Sequence, residues 1–162
     1  MFAPADLWVS TEYLFRRDED GDFWLVANRG SVIRTDRGPV FTDAVNDTLG
    51  RVGAVDLAVT YRVQVGDREL AVSALLLRPG GSVPTADLNE AIAGLPVGAA
   101  PDVVHVVSEM TLSATYRPLL GPLRAAGVPK QSRHAWYLDD DGTYKRLTAA
   151  ARAELTDSAD DE

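Results

Sequence analysis

The sequence predicts an α+β fold, in which helices pack on a small mixed sheet and a β-hairpin precedes that sheet. Two β-rich runs, 55–65 and 70–77, are separated by a short stretch that contains Gly66-Asp67-Arg68, which is typical of a hairpin. Stretches with helical periodicity lie before and after these runs, so strands and helices are mixed along the chain. Val103 to Val107 is a continuous apolar run, which is the pattern of a buried strand.

The first predicted element is a hairpin that stands apart from the rest. Thr11 to Arg17 is extended, Asp18-Glu19-Asp20-Gly21 supplies a turn, and Phe23 to Val26 is the second strand. Its large apolar side chains are too few to form a core of their own. They are Trp8, Phe15, Phe23 and Trp24. We therefore expect this segment to be the edge of a larger structure.

A linker, a short strand and a helix come next. Asn28 to Ser31 is polar and contains a glycine, as linkers often do, and Ser31 to Arg34 predicts a strand that a turn at 36–39 ends. Thr42 is predicted to cap the helix. The apolar face of this helix repeats every fourth residue and carries Phe41, Val45 and Leu49.

The rest of the chain predicts three more helices, one before the apolar run and two after it, and two more strands after it. Thr85 is predicted to cap one helix, and Pro118 to open another that ends at Gly127. Strands at 134–138 and 143–147 flank an Asp-Gly turn. Thr148 is predicted to cap the last helix, and residues 154–162 are expected to form an acidic disordered tail.

Length, charge and composition exclude several classes of function. The chain has 162 residues, no cysteine and a formal net charge of −8. The lack of cysteine excludes disulfides and thiolate chemistry and predicts a cytoplasmic location. The acidic balance is a poor match for nucleic acid and for anionic lipid, because both favour clustered Lys and Arg. We expect neither a signal peptide nor a transmembrane segment, since no apolar run approaches the ~20 residues of a membrane span.

No group of residues supports catalysis by itself. His105 lies in an apolar run and His134 in a loop, so a satisfied core or edge histidine and a loop residue are better interpretations than two zinc ligands. Asp139-Asp140-Asp141-Gly142 resembles the opening of a calcium loop, but Ala150 stands where the closing glutamate should be. A hairpin turn is the better interpretation of that stretch.

Several stretches, taken in order along the chain, match the pattern of a known family. They include Leu14-Phe15-Arg16-Arg17-Asp18-Glu19-Asp20-Gly21, Val103-Val104-His105-Val106-Val107, Thr115-Tyr116-Arg117-Pro118, Trp136-Tyr137-Leu138-Asp139 and Gly142-Thr143-Tyr144-Lys145-Arg146-Leu147. In this order they resemble the C-terminal end of acyl-CoA synthetases of the fatty-acid transport and very-long-chain type. That family belongs to the superfamily of acyl-CoA ligases, adenylation domains and luciferases. The resemblance covers nearly the whole chain except the acidic tail.

The resemblance implies a division of the chain and a set of partners. In that family a large N-terminal domain holds ATP and the acyl substrate, and a small C-terminal domain swings over it as a lid. Residues 1–27 are then the terminal strands of a missing large adenylating domain, 28–31 the hinge and 32–153 the lid. The complete enzyme uses ATP, Mg²⁺ and CoA, none of which this chain is expected to bind alone. The implied partners are the large domain or another protein, and acyl-adenylate or acyl-CoA. Self-association is expected on a separate ground, because a free fragment exposes the apolar face formed by Trp8, Phe15 and Trp24.

The resemblance also assigns functional positions one at a time. Arg117 stands at the position of the adenylation lysine, which makes it the catalytic candidate, and Ser31 stands at the hinge. Tyr13 occupies the position of the aspartate that binds the ribose hydroxyls. Asn28, with Arg29 beside it, occupies the position of an arginine that contacts the nucleotide phosphates. A phenol cannot replace a bidentate carboxylate acceptor, and arginine lacks the compact ammonium geometry of lysine. No metal ligand is implied.

Three functions remain open from the sequence. The first is a lid that completes fatty-acyl-CoA synthesis with a large domain, inactive alone and degenerate in its adenylation residues. The second is a non-catalytic interaction or regulatory module derived from such a lid, which the four altered positions favour. The third is a decayed or excised fragment with no role of its own.

Overall fold

The computed structural model describes residues 12–157. Within that range the chain forms nine strands and four α-helices. The strands are β1 Tyr13–Arg17, β2 Phe23–Asn28, β3 Val32–Thr35, β4 Gly38–Phe41, β5 Val55–Val65, β6 Arg68–Leu77, β7 Val103–Val107, β8 Ala135–Leu138 and β9 Tyr144–Arg146. The helices are α1 Thr42–Gly50, α2 Thr85–Ile92, α3 Leu120–Ala126 and α4 Ala149–Thr156, with a 3-10 helix at Arg29–Ser31. Trp8, which the sequence places beside the first hairpin, lies outside the described residues.

A five-stranded mixed sheet organises the fold, with the strand order β5-β6-β7-β8-β9. β6 and β7 are parallel, and every other neighbouring pair in this sheet is antiparallel. The turn between β5 and β6 contains Gly66 with φ +55°, a left-handed conformation that glycine adopts without the usual steric cost. The predicted α+β fold, a small mixed sheet with packed helices, is confirmed.

Each face of the sheet has its own hydrophobic core. One core brings α1, α2 and the β3–β4 hairpin onto the sheet, and its fully buried members include Leu49, Leu75, Leu88 and Trp136. The other core lies under α3 and α4 and contains Tyr61, Val72, Leu147 and Ala151. The helices therefore cover both faces, and β5 is left as an edge strand of the sheet.

The first hairpin, β1–β2, is a separate two-stranded sheet. It turns at Gly21, which has φ +93°, and the main-chain amide of Asp18 donates to the carbonyl of Asp22 over 3.0 Å. Its five large apolar side chains Leu14, Phe15, Phe23, Trp24 and Leu25 are between 39% and 69% exposed. The predicted hairpin is confirmed, and none of these five side chains belongs to either core of the large sheet.

The turn of the β3–β4 hairpin is tied to the distant end of β8. Arg37 donates from its two guanidinium nitrogens to the carbonyl oxygens of Leu138 and Asp139, over 2.9 Å each. The same turn lies against Gly98, where a Cβ atom would stand 2.3 Å from the carbonyl oxygen of Arg37. Only glycine fits at that contact, so the hairpin, the loop before β7 and the β8–β9 turn are packed as one unit.

Three local predictions were wrong. Thr42 and Thr85 begin their helices as first residues, and the capping positions belong to Phe41 and Pro84, which make no side-chain capping bond. The hydroxyl of Thr85 instead accepts a hydrogen bond from the indole of Trp136 over 2.8 Å. The stretch predicted as a terminating turn contains β4, which pairs with β3 through Pro39 opposite Arg34.

The boundaries near the C-terminal end also differ from those expected. Pro118 bridges Leu112 instead of opening α3, which begins at Leu120. The cap of α4 is confirmed, because the hydroxyl of Thr148 accepts from the amide of Ala151 over 3.1 Å. α4 continues to Thr156, so residues 154–156, which were predicted to be tail, are helical; Leu155 packs against the core and extends the helix. Residues 158–162 lie outside the described part of the chain.

Candidate functional site

The linker between the first hairpin and the large sheet is a single turn of 3-10 helix. Asn28 ends β2 and begins this turn, and its side-chain oxygen accepts a hydrogen bond from the amide of Gly30 over 2.8 Å. The backbone of Arg29 forms the first residue of the turn and Ser31 the last. A short turn closed by its own cap joins two pieces of structure with few backbone bonds of its own.

Tyr13 lies directly opposite Asn28 in the β1–β2 hairpin. The pairing register shifts between Leu14 and Phe15, and this irregularity brings the two residues face to face. The Tyr13 side chain is half exposed. Glu12 precedes the strand with φ +57° and is exposed, so it lies outside β1. The structure thus brings together two of the predicted nucleotide positions.

Arg117 lies in a small exposed loop that closes on itself between β7 and α3. The amide of Ser113 donates to the carbonyl of Arg117 over 2.8 Å, and the amide of Arg117 donates back to the Ser113 hydroxyl over 3.1 Å. Tyr116, beside it, is exposed and adopts φ +58°, an uncommon conformation for a residue with a side chain. None of the ion pairs formed among residues 12–157 involves Arg117. The loop therefore presents a guanidinium group that faces solvent.

A cleft of about 720 Å³ lies between the linker and α3, at the edge of the sheet. Gly30 and Ser31 line one side, Leu120 and Arg124 of α3 line the other, and the β5 residues from Thr60 to Gln64 also line it. Neither Tyr13 nor Arg117 lines this cleft. The predicted hinge residue Ser31 is therefore close to the start of α3, whereas the catalytic candidate and the ribose position lie elsewhere.

Sequence reasoning missed a group of residues that fixes the chain just after the linker. Arg62 donates from one guanidinium nitrogen to the carbonyl oxygen of Val32 over 3.1 Å, and another nitrogen lies 3.2 Å from a carboxylate oxygen of Glu69. The second carboxylate oxygen of Glu69 accepts from the amide of Arg34 over 2.9 Å. The only signal in the sequence was the presence of opposite charges on two paired strands, which does not reveal the contact with Val32.

The two histidines are not placed as metal ligands. His105 is hydrogen-bonded through Nε2 to the hydroxyl of Tyr61 over 3.0 Å, and burial lowers the pKa of His105 to about 4. This confirms the interpretation of a satisfied core or edge histidine. His134 is exposed in the loop before β8. Among residues 12–157, no three His, Asp or Glu side chains are grouped to hold a metal ion.

The aspartate-rich stretch between β8 and β9 is a hairpin turn, as interpreted from the sequence. The amide of Asp139 donates to the carbonyl of Thr143 over 2.9 Å, and Gly142 has φ +78°. The ammonium group of Lys145 contacts the carboxylates of both Asp139 and Asp141. The hydrogen bond from Lys145 is the largest cause of the lowered pKa of Asp139, and the hydrogen bond from Thr143 is the largest cause for Asp141.

One buried carboxyl group was not identified from the sequence. Asp102, immediately before β7, is 6% exposed and accepts a hydrogen bond from the amide of Ala71 over 2.8 Å. Burial raises the pKa of Asp102 to about 6, and the hydrogen bond from Ala71 and the charge of Arg37 oppose this rise. From the sequence, an Asp just before a strand is expected to be an exposed turn residue. Whether it is buried depends on the loops that pack over it, which the local sequence does not show.

Comparison with solved structures places this architecture among known folds. o-Succinylbenzoate CoA synthetase (MenE) from Bacillus subtilis, in complex with the acyl-adenylate intermediate OSB-AMP, matches 82% of this chain with a TM-score of 0.61 and 18% identity. ATP-bound MatB from Rhodopseudomonas palustris matches 72% with a TM-score of 0.58 and 16% identity. A fatty acyl CoA synthetase from Mycobacterium tuberculosis matches 76% with a TM-score of 0.57 and 14% identity. These likenesses are likenesses of fold, each over a part of the solved protein.

The chain spans about a quarter of the length of these proteins, between 24% and 26%. No family model matches the chain, and no curated protein matches it significantly. In the described range 12–157, no helix has both the length and the apolar character needed to cross a membrane.

Proposed function

We propose that this chain is the C-terminal lid part of a fatty-acyl-CoA synthetase and acts only together with a large adenylating domain. The observation that supports the proposal is the asymmetry of the fold match: it spans most of this chain but about a quarter of each CoA synthetase. A lid supplies charge to the reacting phosphate and excludes water. It has no activity without the domain that holds the substrates.

The first hairpin supports the need for a larger partner. Five neighbouring positions expose large apolar side chains, and Phe23 reaches 69% and Leu25 60% exposure. Large apolar side chains exposed to this extent on a two-stranded hairpin are typical of a segment that another domain or chain covers. Residues 12–27 then belong with the last strands of the large domain, residues 28–31 form the hinge, and the large sheet with its helices is the moving part.

The residues present fit the nucleotide only in part. Arg117 is exposed and outside every ion pair among the described residues, so its guanidinium group is available to stabilise negative charge on a phosphate. Tyr13 offers a hydroxyl where two ribose hydroxyls require a carboxylate. Mg²⁺ prefers carboxylate and water ligands, and the described residues group no three acidic or histidine side chains for it. We infer that the large domain binds ATP, Mg²⁺ and CoA and that adenylation by this pair is impaired.

The test is reconstitution with a cognate large adenylating domain. Acyl-adenylate formation and acyl-CoA formation are measured with the large domain alone, with the chain alone and with the two together. The proposal predicts no activity for the chain alone and increased acyl-CoA formation for the pair. A pair that is no faster than the large domain alone in either reaction would refute it.

A second function is favoured by the four altered positions Tyr13, Asn28, Ser31 and Arg117. A non-catalytic interaction or regulatory module, derived from such a lid, keeps the fold and the hairpin surface but does not need these groups. It predicts that Arg117→Ala preserves the effect of the chain on its partner. Loss of that effect in a variant that is still folded would favour the ligase part instead.

A further inference from the structure

The chain changes from weakly to strongly held within one residue, between Ser31 and Val32. The 3-10 turn before this point is closed by the bond from Gly30 to Asn28, which lies within the turn. Val32, the first residue of β3, is bound to the sheet through its carbonyl oxygen by Arg62, a residue of β5. Ile33, the next residue, is buried in the core at 2% exposure.

The guanidinium group of Arg62 makes two contacts at this point. Its guanidinium group reaches the carbonyl of Val32 over 3.1 Å on one side and the carboxylate of Glu69 over 3.2 Å on the other. The Glu69 carboxylate is itself held by the amide of Arg34 over 2.9 Å. Arg62 thus bonds Val32, and Glu69 bonds Arg34, which are alternate residues of β3. Both hydrogen bonds to β3 are charge-assisted. Lysine cannot reproduce this arrangement, because its ammonium group lacks the planar fork.

The first hairpin approaches this group of contacts without joining it. Leu14 of β1 lines a space of about 360 Å³ together with Val32, Arg34, Arg62 and Glu69. A gap of that size between the hairpin and the sheet leaves room for one to move relative to the other.

We propose that Arg62 and Glu69 form a clamp that sets the position of the pivot, so that the chain turns at Asn28–Ser31 and is rigid from Val32 onward. The clamp rests on the proposed lid function for its biological meaning, but its geometry is a property of this chain alone. Arg62 and Glu69 are positioning residues: they hold β3 and touch no substrate.

The experiment compares Glu69→Gln and Arg62→Lys, both in the β5–β6 hairpin, with a matched control in the β3–β4 hairpin that they contact. Glutamine keeps one acceptor oxygen, so it cannot serve both Arg34 and Arg62. Asp36→Asn is the control, because Asp36 pairs with Arg68 at 3.4 Å in the β3–β4 turn and does not contact Val32. Amide hydrogen exchange is measured for residues 28–41 and for the five strands of the large sheet, in the full chain of each variant.

We expect exchange at 32–35 to rise by about tenfold in Glu69→Gln and less in Arg62→Lys, and to stay at the wild-type rate in Asp36→Asn. A role in general stability would instead raise exchange across the whole sheet. The proposal would be overturned if residues 32–35 exchanged at the wild-type rate in both clamp variants. It would also be overturned if their exchange rate rose as much in Asp36→Asn as in Glu69→Gln.

Distances between paired spin labels distinguish movement about the pivot from a general loosening of the fold. The chain has no cysteine, so paired labels are introduced cleanly at Asp20→Cys and Asp47→Cys across the pivot, and at Asp47→Cys and Glu154→Cys within the sheet domain. Glu69→Gln should broaden the first distance distribution and leave the second unchanged. Equal widths in wild type and variant for the first pair would contradict the clamp. Neither measurement needs a large domain, so a failed reconstitution leaves this result intact and refutes the lid function alone.

Discussion

Tyr13 and Asn28 face each other across the first hairpin, and Asn28 also caps the 3-10 turn that forms the linker. The resemblance assigns both to the nucleotide, Tyr13 to the ribose and Asn28 to the phosphates. Their pairing means that a single small surface carries both substitutions. If the chain serves as the lid of an adenylating enzyme, this surface is where its nucleotide contacts are weakest.

Replacing Tyr13 with aspartate is expected to strengthen nucleotide binding by the reconstituted pair. A carboxylate accepts hydrogen bonds from both ribose hydroxyls, each worth about 1 kcal/mol or more for a charged acceptor, so KM for ATP should fall by about tenfold. ATP–pyrophosphate exchange measures it. Tyr13→Asn is the matched control, since its amide has the shape without the charge. An unchanged KM in Tyr13→Asp would refute the ribose assignment.

Removal of the Arg117 side chain is expected to slow acyl-adenylate formation by about 10²-fold. A guanidinium group that meets charge developing on a phosphate contributes on the order of 3 kcal/mol when the site is closed to water. Arg117→Lys should retain or exceed wild-type activity, because lysine is the residue that the resembled family has there. Single-turnover measurement of the adenylate separates this step from thioester formation. Equal rates for Arg117→Ala and wild type would favour the interaction module.

Asp102→Asn is expected to make the protein less stable in mild acid than at neutral pH. The pKa of His105 is lowered from 6.5 to about 4 in the fold, so between these values the unfolded chain binds more protons and stability falls as pH decreases. In the wild type, protonation of Asp102 in the folded state offsets this loss of stability, because its pKa is raised in the fold. Asparagine cannot take up that proton, so the loss is no longer offset. Urea unfolding between pH 7 and 4.5 should show a loss of up to about 3 kcal/mol. A flat profile for the variant would contradict the depressed pKa.

His105→Gln is expected to show the reverse dependence. The pKa of Asp102 is raised from 3.8 to about 6, so the folded state binds more protons in that interval and stability grows as pH falls. The gain between pH 7 and 4.5 should be about 2 kcal/mol, because the interval ends above the unfolded pKa of 3.8, and glutamine keeps a donor for Tyr61. The wild type, in which both groups titrate, should change little over the same range. A variant that loses stability in acid would show that Asp102 is not protonated in the fold.

The sequence predicts the local elements of this fold well, because their signals are local. Gly66 and the flanking β-rich runs specify the β5–β6 hairpin by themselves, and Thr148 specifies the start of α4. Thr42 and Thr85 carry the same type of signal and were misplaced by one residue. Tertiary contact decided the second case, since Trp136 takes the hydroxyl of Thr85.

Pairings between distant segments of the chain could not be predicted from local sequence patterns. The parallel contact of β6 with β7 and the order of the sheet depend on where helices pack, which one sequence does not state. The same holds for the candidate site. Arg62 and Val32 are 30 residues apart and meet only because β3 folds back onto the β5–β6 hairpin. Arg117 was identified through family resemblance alone, and no pattern in its neighbours points to its exposed loop.

The most direct test of the central claim starts from preformed acyl-adenylate. With adenylation already complete, Tyr13 and Arg117 no longer limit the reaction, and only the role of a lid in thioester formation is measured. A cognate large domain is supplied with acyl-adenylate and CoA, with and without this chain, and acyl-CoA is quantified. The account predicts faster acyl-CoA formation when the chain is present. An unchanged rate, with a chain shown to be folded and bound to the large domain, would contradict it.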